Sequence, residues 1–140
     1  MKEIVIAQLK RQEGLRLKPY RCSAGKLTIG YGRNLEDNGI SREEAEEMLA
    51  NDVDAAERAV RGRYSWFEKL NKERQAVIIN MVFNLGIDGF DKFRKTIGYI
   101  ERGDFENAGE EMLTSNWAKQ VGGRAKELSE IMKKGERDVG

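Results

Sequence analysis

The chain of 140 residues contains no histidine, one cysteine and one proline. Without histidine, Ser-His-Asp and Cys-His nucleophile arrangements are excluded, as is almost every zinc site. A single cysteine allows no intrachain disulfide, so folding does not call for an oxidising compartment. No apolar run is long enough to span a bilayer. The opening MKEIVIAQLKRQEG has neither the long apolar segment nor the small-residue cleavage site of a signal peptide. The expectation is a protein that is cytoplasmic when made, with no stable membrane association. There is no P-loop, no GxGxxG in a strand–turn–helix setting, no zinc-finger spacing and no RNP-type aromatic motif. Cofactors, metals and nucleic acid are therefore not expected.

What is present suits one soluble domain with room for two lobes. Apolar residues make up 39% and charged residues 35%, and the wealth of Glu, Lys, Arg, Ala and Leu favours helix. The net charge of +1 hides an asymmetry: residues 1–35 carry eight Lys and Arg against two acids. A basic stretch of this kind suits an anionic polymer as partner, or simply a solvated face.

Residues 2–12 read as a first helix, with Ile4, Val5 and Leu9 on its inward side. Leu17 to Arg21, Leu27 to Tyr31 and Arg33 to Leu35 are short, partly alternating runs. Ser23-Ala24-Gly25, Gly30 and Gly32 separate them, which predicts a small antiparallel sheet. Ser41 and Glu44 form a capping box opening a long amphipathic helix, with Ala45, Met48, Leu49, Val53, Ala56, Ala59 and Val60 along its apolar stripe. Ala76 to Leu85 is apolar on nearly every side, the pattern of a helix at the centre of a bundle. Phe93, Ile97 and Ile100 mark another helix stopped by Gly103. Asp104 caps the next, and Gly122-Gly123 breaks the chain before a last helix ending near Lys134.

With histidine absent, carboxylate chemistry remains, and paired or single carboxyl groups are how glycosidic bonds are cleaved. Such an acid must be held protonated near neutral pH, usually by a partly apolar setting. Glu13, next to Gly14 at the junction of helix and sheet, is the candidate. By position alone it reads equally as a solvated charge at a helix end.

The order Glu13, eight residues, Cys22, five residues, then Thr28-Ile29-Gly30-Tyr31-Gly32 resembles the catalytic signature of the phage-type lysozymes, the T4-lysozyme-like glycoside hydrolases. EGLRLK, ISREEAEEMLANDVDAA, INMVFNLG and the segment from Ser115-Asn116-Trp117 to Gly123-Arg124-Ala125 resemble further family segments, in order, along nearly the whole chain. The resemblance implies an α+β, mostly helical fold of two lobes within one domain, 1–140. Its small β-containing lobe would span 13–40, the interlobe helix 42–61 and the helical lobe 62–140, with helix 2–12 packing against the last.

It further implies an endolysin that hydrolyses the β-1,4 bond between N-acetylmuramic acid and N-acetylglucosamine in peptidoglycan, working as a monomer. Glu13 would be the general acid and Thr28 would help place the attacking water. Phe83, Asn84 and Thr96 would contact substrate, as would Asn34 and Glu111, whose residue types differ from those of the T4 enzyme. Arg124 matches an arginine that pairs with the catalytic acid, and Trp117 falls in the core of the helical lobe. Cys22 stands where the T4 enzyme has aspartate. A base, a nucleophile and a passive small residue are all open readings for it, and the adjacent Arg21 would lower its pKa. Two further activities fit the same residues: a lytic transglycosylase, which needs only one acid, and a peptidoglycan-binding protein without turnover.

Overall fold

The computed structural model describes residues 1–136, as two compact units, Met1–Met48 and the chain from Leu49 onward. The first unit holds helix α1 (Lys2–Glu13), strands β1 (Arg16–Arg21), β2 (Leu27–Gly30) and β3 (Arg33–Asn34), and the single-turn helix α2 (Leu35–Asn38). The strands form one antiparallel sheet in the order β1-β2-β3. Tyr20 faces Thr28 across the first pair and Thr28 faces Asn34 across the second. The only proline, Pro19, lies in edge strand β1, where a missing N–H is tolerated, and the register with β2 breaks between Arg16 and Tyr20. No apolar side chain of this unit is buried, so nothing within it covers Ile4, Val5 or Leu9, which are exposed rather than inward.

Helix α3 (Arg42–Arg63) starts as its capping box requires. The Ser41 N–H donates to Glu44 Oε1 at 2.8 Å, and the Glu44 N–H donates to Ser41 Oγ at 3.1 Å. Glu43 and Glu44 in its first turn, with Arg61 and Arg63 in its last, complement the helix dipole. Of its apolar stripe only Ala56 and Val60 are buried. Met48 and Leu49 lie more than half exposed, because only the C-terminal part of the helix joins the hydrophobic core.

That core belongs wholly to the second unit. It is built around Phe67, Ile78, Met81, Phe90, Met112 and Met132, each fully enclosed. A 3-10 turn (Ser65–Lys69) leads into α4 (Lys72–Asp91), followed by α5 (Arg94–Glu101), α6 (Phe105–Met112), α7 (Asn116–Val121) and α8 (Gly123–Lys134). The expected cap at Asp104 is present, its side chain accepting from the Asn107 N–H at 3.3 Å. Helix α4 is not apolar-buried all round: Val77, Ile78, Met81 and Val82 are enclosed, but Phe83 is 44% exposed. At Gly86 (φ 75°, ψ 163°) the helix breaks and resumes, a conformation open to glycine and strained for any other residue. With eight helices and one three-stranded sheet among the described residues, the architecture is α+β and mostly helical.

Two features hold α8 onto the bundle. Arg74 on α4 donates from Nε to the Met132 carbonyl at 2.8 Å and from Nη2 to the Lys133 carbonyl at 3.0 Å, satisfying carbonyls that the helix end leaves free. Its guanidinium also stacks on Phe105, 3.6 Å from the ring centroid. Ser129, fully buried, donates to the Gly109 carbonyl at 2.8 Å and joins α8 to α6.

Candidate active site

In the first unit, Glu13 is the last residue of α1, and Gly14 (φ 74°) turns the chain away into β1. The Glu13 carboxylate lies over the β2–β3 turn at Gly32. A Cβ built on Gly32, which has φ of +80°, would stand 2.8 Å from Glu13 Oε2. The second turn glycine of TIGYG thus serves two ends: it takes a backbone conformation that L side chains avoid, and it leaves room for the carboxylate.

Cys22 and Thr28 flank the β1–β2 turn. The Cys22 N–H donates to the Lys26 carbonyl at 3.0 Å and the Gly25 N–H to the Cys22 carbonyl at 2.8 Å, which closes the chain tightly around the sulfur. The thiol is half-buried, and its pKa lies below that of a free cysteine. The chief cause is hydrogen bonding from the backbone of Lys26, then of Ala24. Partial desolvation opposes them, and the Thr28 hydroxyl adds a smaller lowering. Arg21 is not the cause: its guanidinium is turned to the Gly25 carbonyl at 3.0 Å and to Glu36 at 3.3 Å.

Thr28, only 3% exposed, donates its hydroxyl proton to the Lys26 carbonyl at 2.8 Å. The same hydroxyl is within hydrogen-bonding reach of the Cys22 sulfur. With one proton to give, it serves one acceptor at a time. A neutral thiol leaves that proton on Lys26, whereas a thiolate competes for it. Asn34, opposite Thr28 on β3, is occupied locally: its Oδ1 accepts from the Asp37 N–H at 3.0 Å and its Nδ2 donates to Asp37 Oδ2 at 2.9 Å. It is the N-cap of α2.

In the second unit four of the five remaining candidates divide between two depressions. Phe83 and Arg124 line one of about 400 Å³ together with Leu49, Val53, Ile79 and Asn80. Arg124 is held there by Asn80, donating from Nε to its Oδ1 at 3.0 Å. Thr96 and Glu111 line another of about 640 Å³, bordered by Trp117. Thr96 is buried and Glu111 half-buried. Asn84 is exposed on α4 and lines neither of these two. Asn80, the partner of Arg124, has no role in the sequence reading, although it is the second residue of the run INMVFNLG. In sequence Gly32 reads as a turn glycine that closes the family signature, with no sign that it seats Glu13.

The fold agrees with comparison to known proteins. The sequence profile of the family described as phage lysozyme matches residues 10–136. The endolysin of Acyrthosiphon pisum secondary endosymbiont phage 1 is 31% identical over 131 residues, covering 90% of this chain and 86% of that protein. The probable T4-type lysozyme 1 of Dictyostelium discoideum is 25% identical, with 91% and 92% covered. The pre-baseplate central spike protein Gp5 of Enterobacteria phage T4 is 29% identical over 89% of this chain, which spans 26% of that longer protein. The chain belongs to the phage lysozyme family and is a glycosidase of the lysozyme type. No helix among the described residues is long and apolar enough to cross a membrane.

Proposed function

We propose that this lysozyme is a muramidase that hydrolyses the β-1,4 bond from N-acetylmuramic acid to N-acetylglucosamine in peptidoglycan, with Glu13 as its general acid. The observation that carries the reading is the Glu13 carboxylate seated against Gly32, at the start of the segment holding Cys22 and Thr28. Protonated Glu13 donates to the glycosidic oxygen as the bond to the anomeric carbon breaks. Positive charge then develops on the sugar ring, and water attacks the anomeric carbon from the opposite face.

Thr28 suits the placing of that water. While its proton is committed to the Lys26 carbonyl, its oxygen lone pairs are free to accept from the water. Cys22, lowered by backbone amides, supplies the thiolate fraction that takes up the water's proton. Hydrolysis therefore inverts the anomeric configuration, with no covalent sulfur intermediate. Phe83, Asn84, Thr96 and Glu111 contact substrate from the second unit, and Asn34 contributes from the end of β3. The enzyme acts as a monomer, needs no cofactor, and reaches the wall after release from the cytoplasm.

The test is the chemistry of the product. Purified peptidoglycan digested by the protein is analysed by mass spectrometry with and without borohydride. Reducible muramyl ends, each heavier by one water than an anhydro end, support hydrolysis. Anhydromuramyl ends identify a lytic transglycosylase instead, and intact glycan with bound protein identifies a binder.

A further inference from the structure

The β2–β3 turn, Gly30-Tyr31-Gly32, is a loose piece of chain for an acid to rest on. Gly30 and Gly32 both take positive φ, +69° and +80°, and glycine moves readily between backbone basins. The ladder that closes the turn is short: β3 has two residues, with Arg33 opposite Ile29 and Asn34 opposite Thr28. A carboxylate seated against Gly32 is therefore only as well placed as whatever holds this turn still.

Arg33, the residue after Gly32, supplies that hold. Its guanidinium closes a fork on Glu44, with Nη1 donating to Oε1 at 2.9 Å and Nη2 to Oε2 at 2.6 Å. Nη1 also donates at 3.1 Å to the carbonyl of Gly39, the C-cap of α2. Glu44 is itself fixed, because its Oε1 accepts from the Ser41 N–H in the capping box that opens α3. Arg33 thus joins the end of the glycine turn to the first turn of a long helix, and every one of these contacts lies within the first unit. A weaker link joins the turn to α1: Lys10 Nζ lies over the Tyr31 ring, 5.6 Å from its centroid, one helical turn before Glu13.

The Arg33 and Glu44 side chains are 41% and 39% exposed, so the pair contributes only modestly to folding. What a two-point fork does supply is direction, which a single charge contact lacks. We infer that Arg33 is a positioning residue for the acid: by tying the glycine turn to the start of α3 it holds Gly32, and through Gly32 the Glu13 carboxylate. The inference rests on the muramidase reading and adds the residue that keeps its acid in place. A shift of about 1 Å in that acid costs on the order of a hundred-fold in rate, so a contact worth little to folding is worth much to turnover.

Arg33→Gln, Arg33→Lys and Arg61→Gln are compared with wild type, well below the unfolding temperature of each. Arg61→Gln breaks another exposed Arg–Glu pair, with Glu57 at the far end of α3, and serves as control. The first readout is ¹⁵N relaxation of the Gly32 amide, with the Gly109 amide in α6 as internal reference. The second is kcat and KM for release of reducing ends from uncrosslinked peptidoglycan strands. In Arg33→Gln the Gly32 order parameter falls from about 0.85 towards 0.6, and that of Gly109 stays in place. The same variant loses about ten-fold or more in kcat, with KM within about two-fold of wild type. Arg33→Lys, which keeps the charge and loses the fork, falls between the two. Arg61→Gln matches wild type in both readouts.

Three results overturn the inference: a Gly32 amide as rigid in Arg33→Gln as in wild type, an unchanged kcat in that variant, or an equal loss in Arg61→Gln. Failure of the muramidase reading is separate. It shows as absent reducing ends from wild type while the Gly32 amide still loosens in Arg33→Gln.

Discussion

The carboxylate of Glu13 and the α-carbon of Gly32 are so close that a methyl group at residue 32 would fall 2.8 Å from Glu13 Oε2. The acid is thus positioned by a glycine nineteen residues away, across the sheet connection. Gly30 offers a matched control, with φ of +69° and nothing within 4 Å of a built Cβ. Both Gly30→Ala and Gly32→Ala should lose stability by about 1 kcal/mol from the positive φ. Only Gly32→Ala should also lose lytic activity, by about ten-fold or more, because the acid must move. Thermal unfolding and turnover measured on both variants check this, and equal activity losses would contradict the role given to Gly32.

Cys22 should react with iodoacetamide as a thiol of lowered pKa. Its rate-against-pH midpoint is expected below that of free cysteine, since backbone amides stabilise the thiolate. Thr28→Val, which keeps the shape and removes the hydroxyl, should raise the midpoint. Arg21→Gln should leave it in place, as Arg21 is engaged with Gly25 and Glu36. A midpoint that follows Arg21 instead would return the cause to simple charge proximity.

The acid limb of stability should depend on Glu44. Its carboxyl is held down to about 2, first by the hydrogen bond from Arg33, whose Nη1 donates to Oε1 at 2.9 Å, then by the Ser41 backbone N–H. A carboxyl with a lower pKa folded than unfolded stabilises the protein above its unfolded value near 4.5. That contribution disappears as pH falls towards 2. Urea midpoints of wild type and Glu44→Gln should therefore differ at pH 6 and converge near pH 2. A gap that persists at pH 2 would mean that packing, not ionisation, is responsible.

The features legible in sequence were the local ones. Ser41 with Glu44, Asp104 with Asn107, and the break at Gly122-Gly123 are each decided within four residues, and each appears in the structure. The strand runs around Thr28 were also readable, because turn glycines bound them. The signature around Glu13 was recognisable as a pattern, but its geometry was not. The seat on Gly32 depends on a turn brought back to the helix end, and the lowering at Cys22 on amides exposed only when that turn closes. Arg21 was the obvious neighbour in the chain and the wrong one in space. The interruption at Gly86 falls just past the apolar run Ala76 to Leu85, with apolar Ile87 and Phe90 following it, so periodicity alone does not show it. The orphaned N–H of Trp117, whose ring meets Phe93 edge-on, is a property of tertiary packing and invisible to any local rule.

Helices α6 and α8 are in contact closely enough to need a glycine. A Cβ at Gly109 would lie 2.9 Å from the Ser129 carbonyl oxygen, a backbone atom that does not yield easily. Although alanine is the better helix former, Gly109→Ala should destabilise the protein by roughly 1–3 kcal/mol through overpacking. Chemical denaturation measures this directly. A neutral or stabilising result would show that the two helices separate at little expense.

The central claim is that Glu13 is the acid of a hydrolase, and Glu13→Gln tests it most directly. Glutamine keeps the size and the hydrogen-bonding shape of the side chain but has no proton to give to the leaving oxygen. New reducing ends released from purified peptidoglycan are measured for wild type and variant side by side, with folding of both verified by circular dichroism. The account predicts steady release by wild type and a loss of at least about a hundred-fold in Glu13→Gln. Comparable release by the two proteins would contradict it.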